Sequence, residues 1–168
     1  MGCDIHCYLE YRAQKDETAH WKNFGGRINP GRNYAMFGFL AGVRFEGPPV
    51  AEPRGVPEDC GYQSEAANRL FITDRDTDEE GFCTKEQAEQ FVKYGAKYLP
   101  SDQDRRFVTH PDWHTHSWVT PDEWEKAIHA TLALEPEYPL VEYEAVLAAL
   151  RSFESQGYDA RVVFWFDN

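Results

Sequence analysis

Two short segments of the chain each combine carboxylates with imidazoles. Asp4 and His6 lie near the start, and Asp112, His114 and His116 lie late in the chain. In an extended strand, alternate side chains share a face, so each segment would present its polar groups on one side. Carboxylates and imidazoles ligate metal ions and act as general acids and bases near neutral pH. If the fold brings both segments together, three histidines and two aspartates converge on one site.

Three interpretations of these histidines are open: they bind a metal ion, they act as acid and base or bind a ligand without a metal, or they have a purely structural role. The imidazoles of His114 and His116 could hold a divalent metal ion such as zinc or manganese, with Asp112 as a further ligand. Without a metal, the same groups would work as acid and base. The catalytic candidates are His6, His114, His116 and Asp4.

Arginines and aromatic residues could bind a ligand near this site. Arg32, Arg44 and Arg54 are separated by loops and helix ends, and guanidinium groups suit bidentate contacts with phosphate or carboxylate. Arg54 lies in a stiff Pro/Gly loop, residues 46–61, and is expected to reach into the same pocket. The alternative is that each arginine pairs with an acid of the chain and that the aromatic rings are core. The candidate ligand-binding residues are Arg32, Asn33, Tyr34, Arg44, Arg54 and Trp118.

Strand patterns at both termini predict how the site is positioned. Residues 2–12 alternate between apolar and ionisable side chains, which is typical of a strand with one face on a core. Residues 161–167 read as a short buried strand that ends in Asp167, a further carboxylate for the site. The sequence therefore predicts an α+β fold of one domain. A small mixed or antiparallel sheet would include both terminal strands, side by side, with three to four helices packed on it.

Capping residues and turn formers predict the helices. Polar side chains at an N-cap accept hydrogen bonds from the first helical N–H groups, and glycine commonly ends a helix. The predicted helices start at Asn33, at Thr84 (running to Leu99), at Thr120 and after Pro139 (ending at Gly157). Residues 62–110 carry the weakest pattern and are predicted to be a variable insertion in the domain.

Composition excludes some classes of partner. The 168 residues hold 29 acids and 17 bases, a formal net charge of −12, which disfavours a nucleic-acid polymer or an anionic membrane surface. No run of about 18 apolar residues and no signal peptide is visible, so we expect a soluble, cytoplasmic protein. A homo-oligomer is compatible with the sequence.

Most of the candidate residues above fall within six short motifs. The motifs are Met1-Gly-Cys-Asp-Ile-His6, Gly31-Arg-Asn-Tyr34, Leu40-Ala-Gly-Val-Arg44, Glu52-Pro-Arg-Gly-Val-Pro57, His114-Thr-His-Ser-Trp118 and Val163-Phe-Trp-Phe-Asp-Asn168. Together they resemble the motifs of a group of small phage and prophage proteins that commonly open with the same six residues. The resemblance covers both ends and most of the chain except residues 62–110. It implies a viral or prophage origin and a location in the bacterial host cytosol.

The resemblance and the residues together predict recognition of a small phosphate-bearing nucleotide. By analogy with phage proteins whose Arg-, Tyr- and His-rich pockets capture or cleave host immune signals, we expect an anti-defence hydrolase of a cyclic nucleotide, of the phosphodiester type. One alternative is a non-catalytic sponge that sequesters a signal such as a cyclic ADP-ribose. A second alternative is an inhibitor that docks on a host protein, which would fit the acidic charge.

Overall fold

The computed structural model describes residues 2–16, 18–76, 79–99 and 106–167. The chain divides into two compact units: residues up to Gly61 together with those from His114 onward, and Tyr62–Trp113. In chain order the elements are β1 (Ile5–Ala13), β2 (Lys22–Asn23), α1 (Tyr34–Ala41), α2 (Tyr62–Ala67), β3 (Arg69–Thr73), β4 (Phe82–Thr84), α3 (Lys85–Lys93), β5 (Tyr98–Leu99), β6 (Phe107–Thr109), β7 (His114–Val119), α4 (Pro121–Leu134), α5 (Val141–Ser155) and β8 (Tyr158–Phe166).

The first unit is built on an antiparallel sheet with the strand order β2-β1-β8-β7. β1 and β8 pair along their whole length, from Ile5 opposite Phe166 to Ala13 opposite Tyr158. The predicted α+β class, with both terminal strands side by side in one sheet, is confirmed. Three helices, α1, α4 and α5, belong to this unit, within the predicted number.

One face of this sheet packs on the helices. Ile5, Cys7 and Leu9 of β1 and Phe164 and Phe166 of β8 are almost fully buried there. The helices contribute residues such as Phe37 and Trp124 to the same core. Complete burial of a large apolar side chain contributes about 1.5–3 kcal/mol, so this face supplies most of the unit's stability.

The opposite face of the sheet is also buried, although the sequence places ionisable groups on it. Its members are His6, Tyr8, Glu10, Arg161, Val163 and Trp165, none more than 8% exposed. Burial of charged and polar groups is costly unless they are hydrogen-bonded to partners. The polar face of β1 is therefore part of an ordered interior network and is not a solvated surface.

The helix boundaries follow the predicted caps with one exception. Asn33 Oδ1 accepts a hydrogen bond from Met36 N–H at 2.7 Å, and Thr84 and Thr120 each form a complete capping box. The exception is α3, which ends at Lys93, whereas the sequence predicted a helix to Leu99. Gly95 adopts a φ of 114° just after that helix, a conformation that ordinary side chains rarely adopt, and it turns the chain into β5.

The second unit holds a small sheet that the sequence did not predict. Its strand order is β4-β3-β6-β5, with β3 and β4 parallel and the other pairs antiparallel. A small core of five buried residues lies under it: Leu70, Ile72, Cys83, Ala88 and Val108. This unit, Tyr62–Trp113, nearly coincides with residues 62–110, which the sequence predicted to be an insertion. The variability of that segment stays a prediction. Among the described residues no helix is both long and apolar enough to cross a membrane.

Candidate functional site

The paired ends of β1 and β8 bring two aspartates and a histidine together. Asp4 N–H donates to Asp167 Oδ1 at 2.7 Å, and Asp167 N–H donates to the Asp4 carbonyl at 3.1 Å. The second carboxylate oxygen of Asp167 lies 2.8 Å from His6 Nε2. One carboxylate thus joins the backbone of β1 to the imidazole, and it fixes the orientation of the His6 ring.

Arg32 completes this arrangement on its outer side. Its Nε and Nη2 donate to the two carboxylate oxygens of Asp4 at 2.5 Å and 2.9 Å, a bidentate geometry. The hydrogen bonds from Arg32 hold the pKa of Asp4 below its usual range. The sequence placed Arg32 among the ligand-binding residues, but its guanidinium is already paired with a carboxylate of the chain. Its role in the structure is to hold Asp4.

Two further guanidinium groups lie near the start of β1 without pairing with a carboxylate. Arg27 acts electrostatically on Asp4 and His6, and Arg44 acts on the Cys3 thiol, where it opposes the rise in pKa caused by burial. Neither arginine forms an ion pair with a carboxylate of the described part of the chain. No motif in the sequence pointed to Arg27, because only the fold brings residue 27 near the start of β1.

These side chains are called the strand-end cluster from here on; its members are Asp4, His6, Arg27, Arg32, Arg44 and Asp167. Its three guanidinium groups exceed its two carboxylates, so the cluster is locally positive when His6 is neutral. The whole chain carries −12, and this local excess of positive charge therefore runs against the overall charge. Guanidinium groups without a carboxylate partner are suited to binding an anion.

The imidazole of His6 is held in its neutral form. Burial lowers its pKa below the usual value, and this effect exceeds the opposing effect of the hydrogen bond that His6 donates to Asp167. A neutral imidazole can accept a proton, and a carboxylate beside it stabilises the imidazolium that results. His6 and Asp167 therefore have the arrangement of a general base and its orienting acid.

A bulge in β7 separates the two histidines that were predicted to share a face. His114 pairs with Phe166 and Ser117 pairs with Phe164. Between these two pairs β7 advances by three residues and β8 by two, so β7 contains one extra residue. The extra residue coincides with Thr115, whose φ of 50° is unusual for a β-branched side chain. The ring of His114 contacts Phe166, and the ring of His116 contacts the residue before it in β8, Trp165. The prediction of a shared face is therefore wrong, because alternation does not continue through a bulge.

Trp165 also lies between the imidazoles of β1 and β7. Its ring centroid is 6.0 Å from that of His6 and 5.6 Å from that of His116. The three histidines lie on β1 and β7, which are not adjacent in the sheet because β8 runs between them. Within the described ranges, no three His, Cys, Asp or Glu side chains form a group that could hold a metal ion. Asp112 belongs to the second unit, where its N–H donates to His110. A zinc or manganese site stays a prediction.

Arg54 does not join the strand-end cluster. Its guanidinium pairs with both carboxylate oxygens of Glu123 and lies 4.5 Å over the Trp118 ring. Its loop is fixed to β7, since Arg54 N–H donates to Ser117 Oγ at 3.1 Å. Arg54 was predicted to reach into the histidine site, but its guanidinium instead binds Glu123 of the α4 capping box.

The remaining two candidates have different surroundings. Asn33 caps α1, and its amide donates to Glu135 Oε2 at 3.0 Å, so it is a structural residue. Tyr34 is 44% exposed and presents one edge of its ring to Phe37. Tyr34 is therefore the aromatic residue among the candidates that remains accessible to a ligand.

Buried His116 is expected to make stability depend on pH. Burial, and secondarily the nearby His114, lowers the pKa of His116 to about 4, against about 6.5 in an unfolded chain. The unfolded state therefore binds the proton first, and stability present above about pH 6.5 is lost as the pH falls toward 4. Between about pH 7.5 and about pH 5 the loss through His116 is about 2 kcal/mol.

Urea unfolding at the two pH values measures this effect. His116→Gln should reduce the pH-dependent loss by about 2 kcal/mol relative to the wild type. His129→Gln, at an exposed position on α4, is the matched control and should leave it unchanged. An equal pH dependence in the wild type and His116→Gln would contradict the prediction.

Comparison of the chain with protein-family models, with curated proteins and with solved structures gives no match. The resemblance to phage proteins thus stays a prediction. Two of its motif residues, Met1 and Asn168, lie outside the described residues.

Proposed function

We propose that the protein binds a small phosphate-bearing nucleotide at the strand-end cluster and hydrolyses it with His6 as the general base. The observation that carries this proposal is the 2.8 Å contact between His6 and Asp167, placed beside guanidinium groups that lack a carboxylate partner. Phosphate is the anion that arginines bind most effectively in a bidentate manner. Such a ligand fits the predicted phage origin and a location in the host cytosol.

The proposed reaction is attack of water on a phosphodiester. Neutral His6 takes a proton from the attacking water, and Asp167 stabilises the imidazolium that forms. Arg27 and Arg44 stabilise the negative charge that develops on the phosphoryl oxygens. The new P–O bond forms as the bond to the leaving alkoxide breaks, and the imidazolium returns its proton to that alkoxide. The products are one phosphomonoester group and one free hydroxyl group.

The zinc or manganese ion predicted from the sequence is a separate proposal, and the bulge that separates its two predicted histidine ligands counts against it. His114 and His116 are the predicted ligands, and such an ion would supply a bound water of lowered pKa. Metal analysis of the purified protein, followed by dialysis against a chelator, tests this prediction. Retention of full activity after complete metal removal would assign the chemistry to His6 and Asp167 alone.

Capture of the nucleotide without turnover is the second candidate function. It is favoured by the burial of His6, which is only 6% exposed, because a buried base is less accessible to a substrate. The same arginines would then hold the phosphate of a signal such as a cyclic ADP-ribose. The two functions differ in whether the ligand is recovered intact after the protein is denatured.

Parallel substitutions at His6 and Arg44 test the proposal. Arg44→Ala should weaken binding of a cyclic dinucleotide about ten- to a hundredfold, because one charge-assisted hydrogen bond to phosphate is worth about 1.5–3 kcal/mol. His6→Gln should retain binding and lower the turnover rate by about a hundredfold or more. Affinity is measured by calorimetry, and products are separated by chromatography after denaturation.

Arg75→Ala is the matched control, since it removes an exposed guanidinium in the second unit. It should change neither affinity nor turnover. Unchanged affinity in Arg44→Ala would remove the strand-end cluster as the binding site. Intact ligand recovered from the wild type, together with weakened binding in Arg44→Ala, would establish capture in place of hydrolysis.

A further inference from the structure

A groove in the first unit is separate from the strand-end cluster. Its volume is about 660 Å³, within the range of about 300–1,000 Å³ that small-molecule sites usually have. Two indoles, Trp21 and Trp118, and two prolines, Pro57 and Pro121, provide its apolar lining. No member of the strand-end cluster lines it, so the proposed function leaves this groove unexplained.

The arginines that line the groove are already paired. Arg161 donates from Nε to Glu10 at 2.8 Å and from Nη1 to Asp59 at 3.0 Å. Arg12 donates from Nε to Asp159 at 3.2 Å. A guanidinium that already pairs with carboxylates has less capacity for an anionic ligand. The groove is therefore not a second phosphate site.

Carboxylates outnumber these arginines around the groove. Its lining includes five carboxylates, Glu58, Asp59, Asp122, Glu154 and Asp159, against two guanidinium groups. A third guanidinium, that of Arg151, pairs with Asp122 and Glu154, so the net charge is −2. Glu58 is exposed and forms no ion pair within the described part of the chain, and the Asp122 side chain, although paired with Arg151, is 73% exposed. The excess negative charge therefore includes groups that a cation in solvent can reach.

We infer that this groove binds a linear aliphatic polyamine. Ammonium groups would pair with the carboxylates, and the methylene segments between them would lie on the indoles and prolines. The same indoles attract cations within the chain, since the guanidinium of Arg161 lies 3.9 Å from the Trp21 ring and that of Arg54 lies 4.5 Å from the Trp118 ring. A polyamine complements both features of the groove, since its positive charges match the carboxylates and its methylene segments match the apolar surface.

Titration of the protein with spermidine tests this inference. Calorimetry should give one binding site, and the fluorescence of the lining tryptophans should change with the same midpoint. The double variant Glu58→Gln and Asp122→Asn removes two accessible charges and should weaken binding about tenfold or more. Asp122 makes only a partly exposed ion pair with Arg151, so the variant should keep the fold, which circular dichroism checks.

The matched control is Glu142→Gln and Glu144→Gln, which removes two exposed charges from the first turn of α5, outside the groove. Its affinity for spermidine should stay within about twofold of the wild type. Magnesium chloride serves as a second control, because it carries charge without an apolar segment. Absence of spermidine binding, equal weakening in the two double variants, or equally tight binding of magnesium would each overturn the inference.

Discussion

Replacement of Glu10 by glutamine is expected to lower the free energy of unfolding by about 3–5 kcal/mol. Glu10 is fully buried and Arg161 is 4% exposed, and the two are joined by a hydrogen bond of 2.8 Å. The other carboxylate oxygen of Glu10 accepts from Gly61 N–H at 2.6 Å. Glutamine preserves the shape of the side chain but removes the buried one of the two carboxylates that balance the Arg161 guanidinium, the other being the more exposed Asp59, and burial of a charge that is less well compensated is costly.

Urea unfolding of Glu10→Gln beside Asp159→Asn measures this effect. Asp159 also forms an ion pair between β8 and β1, with Arg12, but both of these side chains are about 40% exposed. Exposed pairs contribute about 0–1 kcal/mol, so Asp159→Asn should have a small effect. A double-mutant cycle with Arg161→Met should give a favourable coupling energy between Glu10 and Arg161. Similar small losses in both single variants would show that the buried pair is not important for stability.

Truncation of Trp165 to alanine is expected to cost about 3–5 kcal/mol of unfolding free energy. The indole is fully buried, and its ring centroid lies 5.2 Å from that of Tyr8 and within 6.0 Å of the imidazoles of His6 and His116. Alanine would leave a cavity between rings that are fixed to β1 and β7, the two strands on either side of β8. Because both strands are hydrogen-bonded to β8, the gap cannot close by a simple shift of one side chain.

Two comparisons check this expectation in thermal or urea unfolding. Trp165→Phe keeps an aromatic ring in the same place and should cost less than Trp165→Ala. Tyr94→Ala removes an aromatic side chain that is 81% exposed, and it should change stability by no more than about 0.5 kcal/mol. A loss below about 1 kcal/mol in Trp165→Ala would contradict the view that this face of the sheet is packed around the indole.

The sequence by itself determined the features that depend on local periodicity and on caps. Alternating apolar residues in β1 and a buried run in β8 predicted two strands and the core face that they share. Asn33, Thr84 and Thr120 predicted three helix starts, because a capping side chain acts on N–H groups two or three residues away. Asp4 and His6 were predicted as neighbours of one site for the same reason, since two residues of one strand share a face.

The tertiary structure decided the features that join distant residues. Asp167 was visible as a candidate, but its contact with His6 depends on the register of β1 against β8, and Arg27 had no local signal at all. Periodicity also could not predict the bulge at Thr115, where one added residue separated His114 from His116.

The partners of Arg32 and Arg54 were likewise decided by the fold. A sequence shows that an arginine carries charge but not which carboxylate lies within reach. In the fold Arg32 pairs with Asp4 and Arg54 pairs with Glu123, whereas Arg44 pairs with neither of these carboxylates. Electrostatic and hydrogen-bond contacts act over a few ångströms in space, whatever the separation along the chain. The contact between His6 and Asp167 therefore exists only because both ends of the chain meet in one sheet.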